Sequence, residues 1–427
     1  MKNIYILLIS FLILSSNSAF SQIKFDDYFT AKTLRFDFSE AGNAEGETFY
    51  FEQMKCEPFW GGSKKNLIDK FNLGEYRLFV YDIESSKLIY SRGFSTLFQE
   101  WMATDEAKVV NRSFYETVVI PFPKKSVRLE IHKRTRDGIL EKKFEYVIDP
   151  TNYFINPETP IKYNTKKVLD NGDPATKVDI LFLPDGYTAE EMTKFNDDVT
   201  RFIGYFFSCS PYKENKNNFN IWLVEAPSQE SGTDIPGKHI YKNTLFNSSF
   251  YTFNTDRYLM TNDVKSIRDV AANAPYDEII ILVNTNKYGG GGIYNFYCTV
   301  SSDDDYSDYV VTHEFGHQFG DLADEYWTSD VAVKDYINLK VEPVQPNITT
   351  LVDFGSKWKN MVSEGVPIPT PNDPKYYDKV GVFEGGGYVD KGVYRPMYDC
   401  TMKTRSRNNM CPVCKKALQD MINFYSE

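Results

Sequence analysis

The segment Tyr309-Val-Val-Thr-His313-Glu314-Phe-Gly-His317-Gln-Phe-Gly320-Asp321-Leu-Ala-Asp324-Glu325-Tyr326 places two histidines four residues apart, with a glutamate directly after the first. On a helix, residues four apart share one face, so both imidazoles can hold one zinc ion (Zn2+). Glu314 then stands beside the ion without being a ligand, as the general base for a metal-activated water requires. A zinc ion lowers the pKa of its water to about 7 and polarises a scissile carbonyl, which explains why this residue set occurs together. Val310, Phe315 and Phe319 supply apolar helical positions, and Asp303, Asp304 and Asp305 put negative charge before the helix N-terminus. The acidic run is read as a solvated helix start; calcium binding is the alternative, and no EF-hand spacing follows it. A catalytic site needs a third protein ligand. Gly320 is expected to turn the chain in a left-handed conformation. Asp324 is the first candidate ligand after that turn, with Glu325 next and Asp321 or His239 behind. The carboxylates that do not ligate are expected to partner an imidazole N–H.

Upstream, Val178-Asp-Ile-Leu-Phe-Leu-Pro is a nearly continuous apolar run, as in a strand buried on both faces. Thr188-Ala-Glu-Glu191 forms a capping box, and Met192, Phe195, Val199, Phe202, Ile203 and Phe206 follow at helical spacing. Phe219-Asn-Ile-Trp-Leu-Val and Glu278-Ile-Ile-Ile-Leu-Val are further strands, an α/β order. Residues 22–150 read differently. Arg77-Leu-Phe-Val-Tyr and Lys87-Leu-Ile-Tyr flank a turn at Ile83-Glu-Ser-Ser, and Val127–His132 and Ile139–Ile148 flank Thr135-Arg-Asp-Gly. Two hairpins of period-2 patterning predict an antiparallel β-sandwich. Nothing in that part resembles a reaction centre, and His132 reads as a hydrogen-bonded structural histidine. The polar stretch 151–174 reads as the linker, and 175–427 as the second domain. At the start, Lys2, the apolar run Ile4–Leu14 and Ala19-Phe20-Ser21 form the pattern of a signal peptide, residues 1–21. Export follows as the expectation, to the periplasm, the cell surface or the medium, and no later segment is apolar enough to span a bilayer.

The net charge of −11 and pI near 5.1 argue against a nucleic-acid partner, whose phosphates call for a basic face. Six cysteines occur, and Cys411-Pro-Val-Cys414 is half of a structural zinc motif with no second C-x-x-C to complete it. A disulfide or a buried-thiol role is therefore the expected reading for these cysteines.

At His313, Glu314, His317 and Gly320 the chain resembles the metzincins, whose signature is H-E-x-x-H-x-x-G-x-x-H or -D followed by a methionine turn. The family's third-ligand position falls on Ala323, which cannot bind zinc; Asp324 serves if the turn carries one extra residue. Cys400-Thr-Met402-Lys resembles the methionine turn, with Met397 as the lesser candidate. A closer resemblance is to the bacterial immunoglobulin-A-peptidase-like metallopeptidases. It rests on Leu183-Pro-Asp-Gly-Tyr, Glu230-Ser-Gly, His313 through Tyr326, Phe383-Glu-Gly-Gly-Gly-Tyr, Tyr394-Arg-Pro and Cys400 through Cys414. The resemblance implies an α+β two-domain chain, an N-terminal antiparallel β-sandwich followed by a metzincin-like α/β zinc peptidase domain. It also implies secretion and hydrolysis of a protein or peptide substrate, though not that the substrate is immunoglobulin A. Gly289–Gly292 and the run Ile293-Tyr-Asn-Phe-Tyr-Cys-Thr-Val read as a loop leading into an edge strand able to pair with an extended substrate. Tyr394 and Tyr398, near the turn, are candidates to steady an oxyanion, against a structural role. Two rival readings accompany the peptidase: a surface glycan- or protein-binding protein with a relic metal helix, and a non-peptidase zinc amidase.

Overall fold

The computed structural model of the chain describes residues 23–157, 161–327, 337–406 and 409–427. The expected signal peptide lies outside these residues. Among them, no helix is long and apolar enough to cross a membrane.

The first part is built from two four-stranded sheets. One runs in the order Arg112–Pro123, Phe29–Asn43, Gly46–Glu57, Ile155–Asn156, and the other Leu88–Phe94, Tyr76–Asp82, Val127–Arg134, Leu140–Ile148. Both hairpins read from period-2 alternation are present, with antiparallel register. Alternation sends Phe36, Phe38 and Ile120 of one sheet and Leu78, Leu129 and Ile131 of the other into a single buried core. His132 is hydrogen-bonded to Glu130 at 2.8 Å and set edge-on against Phe79, a structural placement.

The second part is organised on a six-stranded sheet. Its order is Gly290–Gly292, Tyr297–Ser301, Glu278–Val283, Val178–Asp185, Phe219–Glu225, Asn164–Leu169. The four inner strands are parallel and the two outer ones antiparallel to their neighbours. Every residue of Val178–Asp185 is buried, because both faces of the sheet are covered. Ile180 and Phe182 face the helices Met192–Phe206, Ser307–Gly320 and Pro412–Ser426. Leu181 and Leu183 face the helix Val264–Ala271 and, from the first part, Leu97, Phe98, Trp101 and Phe114. The capping box at Thr188 and Glu191 forms as its spacing requires.

Three local readings differ from the structure. The 151–174 stretch is not a plain connection: Ile155–Asn156 joins the first part's sheet, and Asn164–Leu169 joins the six-stranded one. The run after Gly292 is not an edge strand. The glycines themselves form the edge, Tyr297–Ser301 lies inside the sheet, and the outer side of Gly290 is bridged by Tyr258. Gly320, finally, is the last helical residue, and it is Asp321 that turns left-handed, at φ 48° and ψ 36°. Gly320 is small for another reason, since a Cβ there would lie 2.8 Å from Leu418 of the C-terminal helix.

The two parts are joined by partly and fully buried polar contacts as well as by a shared core. Arg35 Nη1 donates to Asp269 at 2.6 Å, Asn66 Nδ2 to the Phe424 carbonyl at 2.7 Å, and the Gly74 N–H to Asp321 Oδ2 at 2.8 Å.

Candidate metal centre

The helix Ser307–Gly320 lies against the six-stranded sheet, and its i, i+4 spacing directs His313 and His317 to one side. Their Nε2 atoms are 3.1 Å apart. Asp324 Oδ1 sits 3.1 Å from the first and 3.4 Å from the second. Four ligands about 2.0–2.1 Å from a zinc ion are about 3.3 Å from one another, so the three atoms span one face of such a tetrahedron. Each atom is aimed there by a second contact. His313 Nδ1 is 3.0 Å from the Thr401 carbonyl, and His317 Nδ1 bonds the Leu322 carbonyl. A carbonyl only accepts, so both Nδ1 atoms carry the hydrogen and both Nε2 lone pairs face the cluster. The Tyr388 hydroxyl donates to Asp324 Oδ2, leaving Oδ1 buried without a hydrogen-bond partner among the described residues. This donor set and its orphaned oxygen fit a divalent cation, and zinc in particular.

The electrostatics agree. Burial alone would raise the Asp324 carboxyl, but the two imidazoles hold it well below the usual carboxylate range. Burial pulls His317 down, yet the Asp324 carboxylate outweighs it and drives the imidazole up to about 9. The field of Asp324 thus favours positive charge at His317 Nε2, the place a bound cation would take. Glu314 is pushed up by burial and drawn back by His313 and His317. Its helix segment is gripped by the glycine strand: a Cβ at Gly292 would lie 2.5 Å from the Glu314 carbonyl oxygen, and one at Gly290 3.1 Å from Glu314 Cγ.

The other candidates are elsewhere. Asp321 accepts the Gly74 N–H, and burial raises its carboxyl to about 7. Glu325 points away from the histidines, to Asn347 at 3.1 Å and Cys414 Sγ at 3.3 Å. His239 is an exposed residue ending a short turn. Of the acidic run, Asp303 pairs with Lys194 at 2.8 Å and Arg201 at 3.2 Å, a structural use. Met402 is fully buried beneath the metal helix, its Sδ 3.0 Å from where a Cβ on Gly316 would be. Met397 is only partly buried against the same core.

The family model described as IgA Peptidase M64 matches residues 167–379 and 372–422, and the one described as Peptidase M64 N-terminus matches 24–145. The chain belongs to the IgA Peptidase M64 family. No curated protein matches it. An IgA Peptidase M64 protein is a peptidase, a hydrolase of peptide bonds, and the matched span of this one carries the whole His313, His317, Asp324 cluster.

Some residues around the cluster were not picked out by sequence reasoning. Tyr388, at the turn of the hairpin Phe383–Gly386 and Val389–Arg395, supplies the phenol that reaches Asp324. Its signal was present in Phe383-Glu-Gly-Gly-Gly-Tyr, where Gly385 and Gly387 take positive φ to form the turn. By contrast, Tyr398 stacks on Tyr377 with ring centroids 3.5 Å apart, and Tyr394 pairs through its backbone with Thr349. Glu100, from the first part, bonds the Tyr258 hydroxyl; burial raises its carboxyl to about 7, with Glu314 and Asp324 pushing the same way. The first part therefore brings a carboxyl into the field of the site.

Proposed function

We propose that this chain is an exported zinc-dependent endopeptidase in which His313, His317 and Asp324 hold the zinc ion and Glu314 is the general base. The reading includes an N-terminal β-sandwich, residues 22–150, and a metzincin-like catalytic domain, residues 175–427. The observation that carries it is the convergence of three donor atoms with edges of 3.1–3.4 Å beside an intact Glu314. Zinc, when bound, supplies a Lewis acid that polarises the scissile carbonyl and acidifies water. The chain's own groups do the rest. The Thr401 and Leu322 carbonyls lock the imidazole tautomers, and Tyr388 fixes the rotation of Asp324. Glu314 takes a proton from the attacking water at its carboxylate and returns it to the leaving amine. Membership of a peptidase family favours this reading over a binding protein or an amidase.

Glu314→Gln tests it, because the amide keeps the shape and loses the basicity. Zinc content is expected to be near that of the wild type, with kcat on casein-derived peptides lower by at least about 10²-fold. Asp324→Asn is expected to weaken zinc binding instead. Wild-type cleavage by the Glu314→Gln protein would overturn the base assignment.

A further inference from the structure

A second group of metal-binding side chains lies behind the first. Cys400, Cys411, Cys414 and Glu325 each offer an atom, all within 4.8 Å of one another, and all four residues are buried. Sequence reading found half a motif in Cys411-Pro-Val-Cys414 and no second half. The fold completes it with one cysteine from the methionine-turn segment and the carboxylate that follows Asp324. The geometry points to a second, structural metal site, in which three cysteine sulfurs and the Glu325 carboxylate hold a thiophilic divalent cation, zinc foremost.

The distances distinguish this from the readings expected for these cysteines. Cys400 Sγ and Cys414 Sγ are 3.8 Å apart. A disulfide requires about 2.05 Å, whereas sulfurs about 2.3 Å from a tetrahedral zinc are about 3.8 Å from each other. All three cysteines are free. They are also not inert thiols packed in hydrocarbon. The Cys411 N–H points at Cys400 Sγ from 3.3 Å, and the Cys414 N–H at Cys411 Sγ from 3.4 Å. Burial pushes the Cys400 and Cys414 thiols up, while the backbone donors aimed at the Cys400 and Cys411 sulfurs work the other way, toward the thiolate that binds metal. Glu325 adds an independent sign. Asn347 Nδ2 and the Cys414 sulfur serve its Oε1, but Oε2 is buried with no hydrogen-bond partner among the described residues. Burial pushes the Glu325 carboxyl up and the buried Arg395 guanidinium draws it down through its charge, but the bonds of that guanidinium go to the carbonyls of Glu384, Gly385 and Tyr398. A buried carboxylate oxygen left without a bonded donor among three sulfurs is a ready ligand for a metal cation.

Such an ion would act as a staple. Cys400 precedes Thr401, whose carbonyl holds His313, and Glu325 follows Asp324, while Cys411 and Cys414 open the helix Pro412–Ser426. One cation thus fastens the turn beneath the metal helix to the segment carrying the third donor and to the C-terminal helix. The inference concerns residues separate from the catalytic reading and does not depend on it.

The test uses the full mature chain purified with zinc, beside Cys411→Ser, Cys414→Ser and the double variant His313→Ala/His317→Ala. Metal per chain is counted, cobalt is exchanged for zinc, and thiols are alkylated under denaturing conditions for mass spectrometry. The wild type is expected to hold two ions, to show thiolate-to-cobalt charge-transfer absorption, and to release three alkylatable thiols at these positions. The double histidine variant should keep one ion and the full charge-transfer signal. Loss of an ion there with retention of the signal would separate the two sites even if the peptidase reading failed. The cysteine variants should lose one ion and the signal and melt earlier. Should they not fold, the wild type and histidine variant still decide. A folded wild type without charge-transfer absorption, or a disulfide among the three cysteines, would overturn the proposal.

Discussion

Replacing Tyr388 with Phe removes one oxygen and keeps the ring that packs against Tyr326, whose centroid is 5.3 Å away. The lost hydroxyl is the donor to Asp324 Oδ2. Asp324 is buried, so solvent does not replace the donor, and an unsatisfied buried acceptor costs about 1–3 kcal/mol, more when charged. The carboxylate relieves that cost by rotating toward other donors, which takes Oδ1 out of its position 3.1 Å from His313 Nε2. Converted at about 1.4 kcal/mol per decade, the loss corresponds to zinc affinity weaker by about 10–100-fold, the range for removing such a supporting contact. The assay is competition for zinc against a chelator of known affinity, with melting of the ion-free protein as control. Cleavage at saturating zinc should recover most of the wild-type kcat, because Glu314 and the three donors remain. Unchanged zinc affinity in the Tyr388→Phe protein would refute the claim that this phenol holds the third donor in place.

Gly292→Ala drives a Cβ to 2.5 Å from the Glu314 carbonyl, a backbone atom that cannot swing aside. About 1–3 kcal/mol of overpacking is expected, with a lower melting temperature and a fall in kcat/KM; a variant with both unchanged would refute the grip of the strand on the helix. Burial raises Glu40 to about 7 from an ordinary 4.5, against hydrogen bonds from Tyr76 and Thr96. The folded state therefore binds the proton more tightly, and this stabilisation is complete below about 4.5 and lost as pH rises through about 7, about 3 kcal/mol at most. Glu40→Gln should flatten that part of the pH dependence of chemical denaturation, and an unaltered slope would count against it. Truncation to begin near residue 155 removes Leu97, Phe98 and Trp101 from the core they share with Leu181 and Leu183, and removes Gly74 from Asp321. The truncated chain is expected to lose cooperative unfolding by circular dichroism; a stable, fully active fragment would show that the two parts are independent.

What the sequence disclosed follows from the range of the interactions involved. His313, Glu314 and His317 were legible because a helix fixes their relation within a single turn, whatever the rest of the chain does. The fully buried strand Val178–Asp185 and the hairpins of the first part were legible for the same reason, their burial being written at period one or two. The third donor was less so. Choosing Asp324 over Glu325, Asp321 or His239 depends on the path after Gly320, and that path is set by residues far along the chain. Tyr388 was hidden inside a glycine motif because only the closed hairpin brings it back to Asp324. The cysteine cluster was half visible: two sulfurs share a helix start, but Cys400 and Glu325 join them only through tertiary folding. Expecting Gly320 to be the left-handed residue failed because its smallness serves the approach of Leu418, not the turn.

That substitution of roles exposes how the site is held. Asp321 carries the left-handed backbone without being glycine, a conformation that costs free energy and survives only where the surroundings impose it. The surroundings do so residue by residue. Asp321 is anchored to the Gly74 N–H, and the Leu322 carbonyl to His317. Ala323 is anchored at both its N–H and its carbonyl by Asn347, each at 2.8 Å. The Asp324 carbonyl accepts the Gly387 N–H at 2.8 Å while its side chain takes the Tyr388 hydroxyl, and the Glu325 N–H donates to the Met402 carbonyl at 2.7 Å. Five consecutive residues are thus tied to five different parts of the fold. The metal donor proposed for this segment, which lies outside regular secondary structure, needs this, because ligand positions must be kept to within about 0.5 Å. The anchors, not the spacing from the helix, decide which side chain faces the histidines.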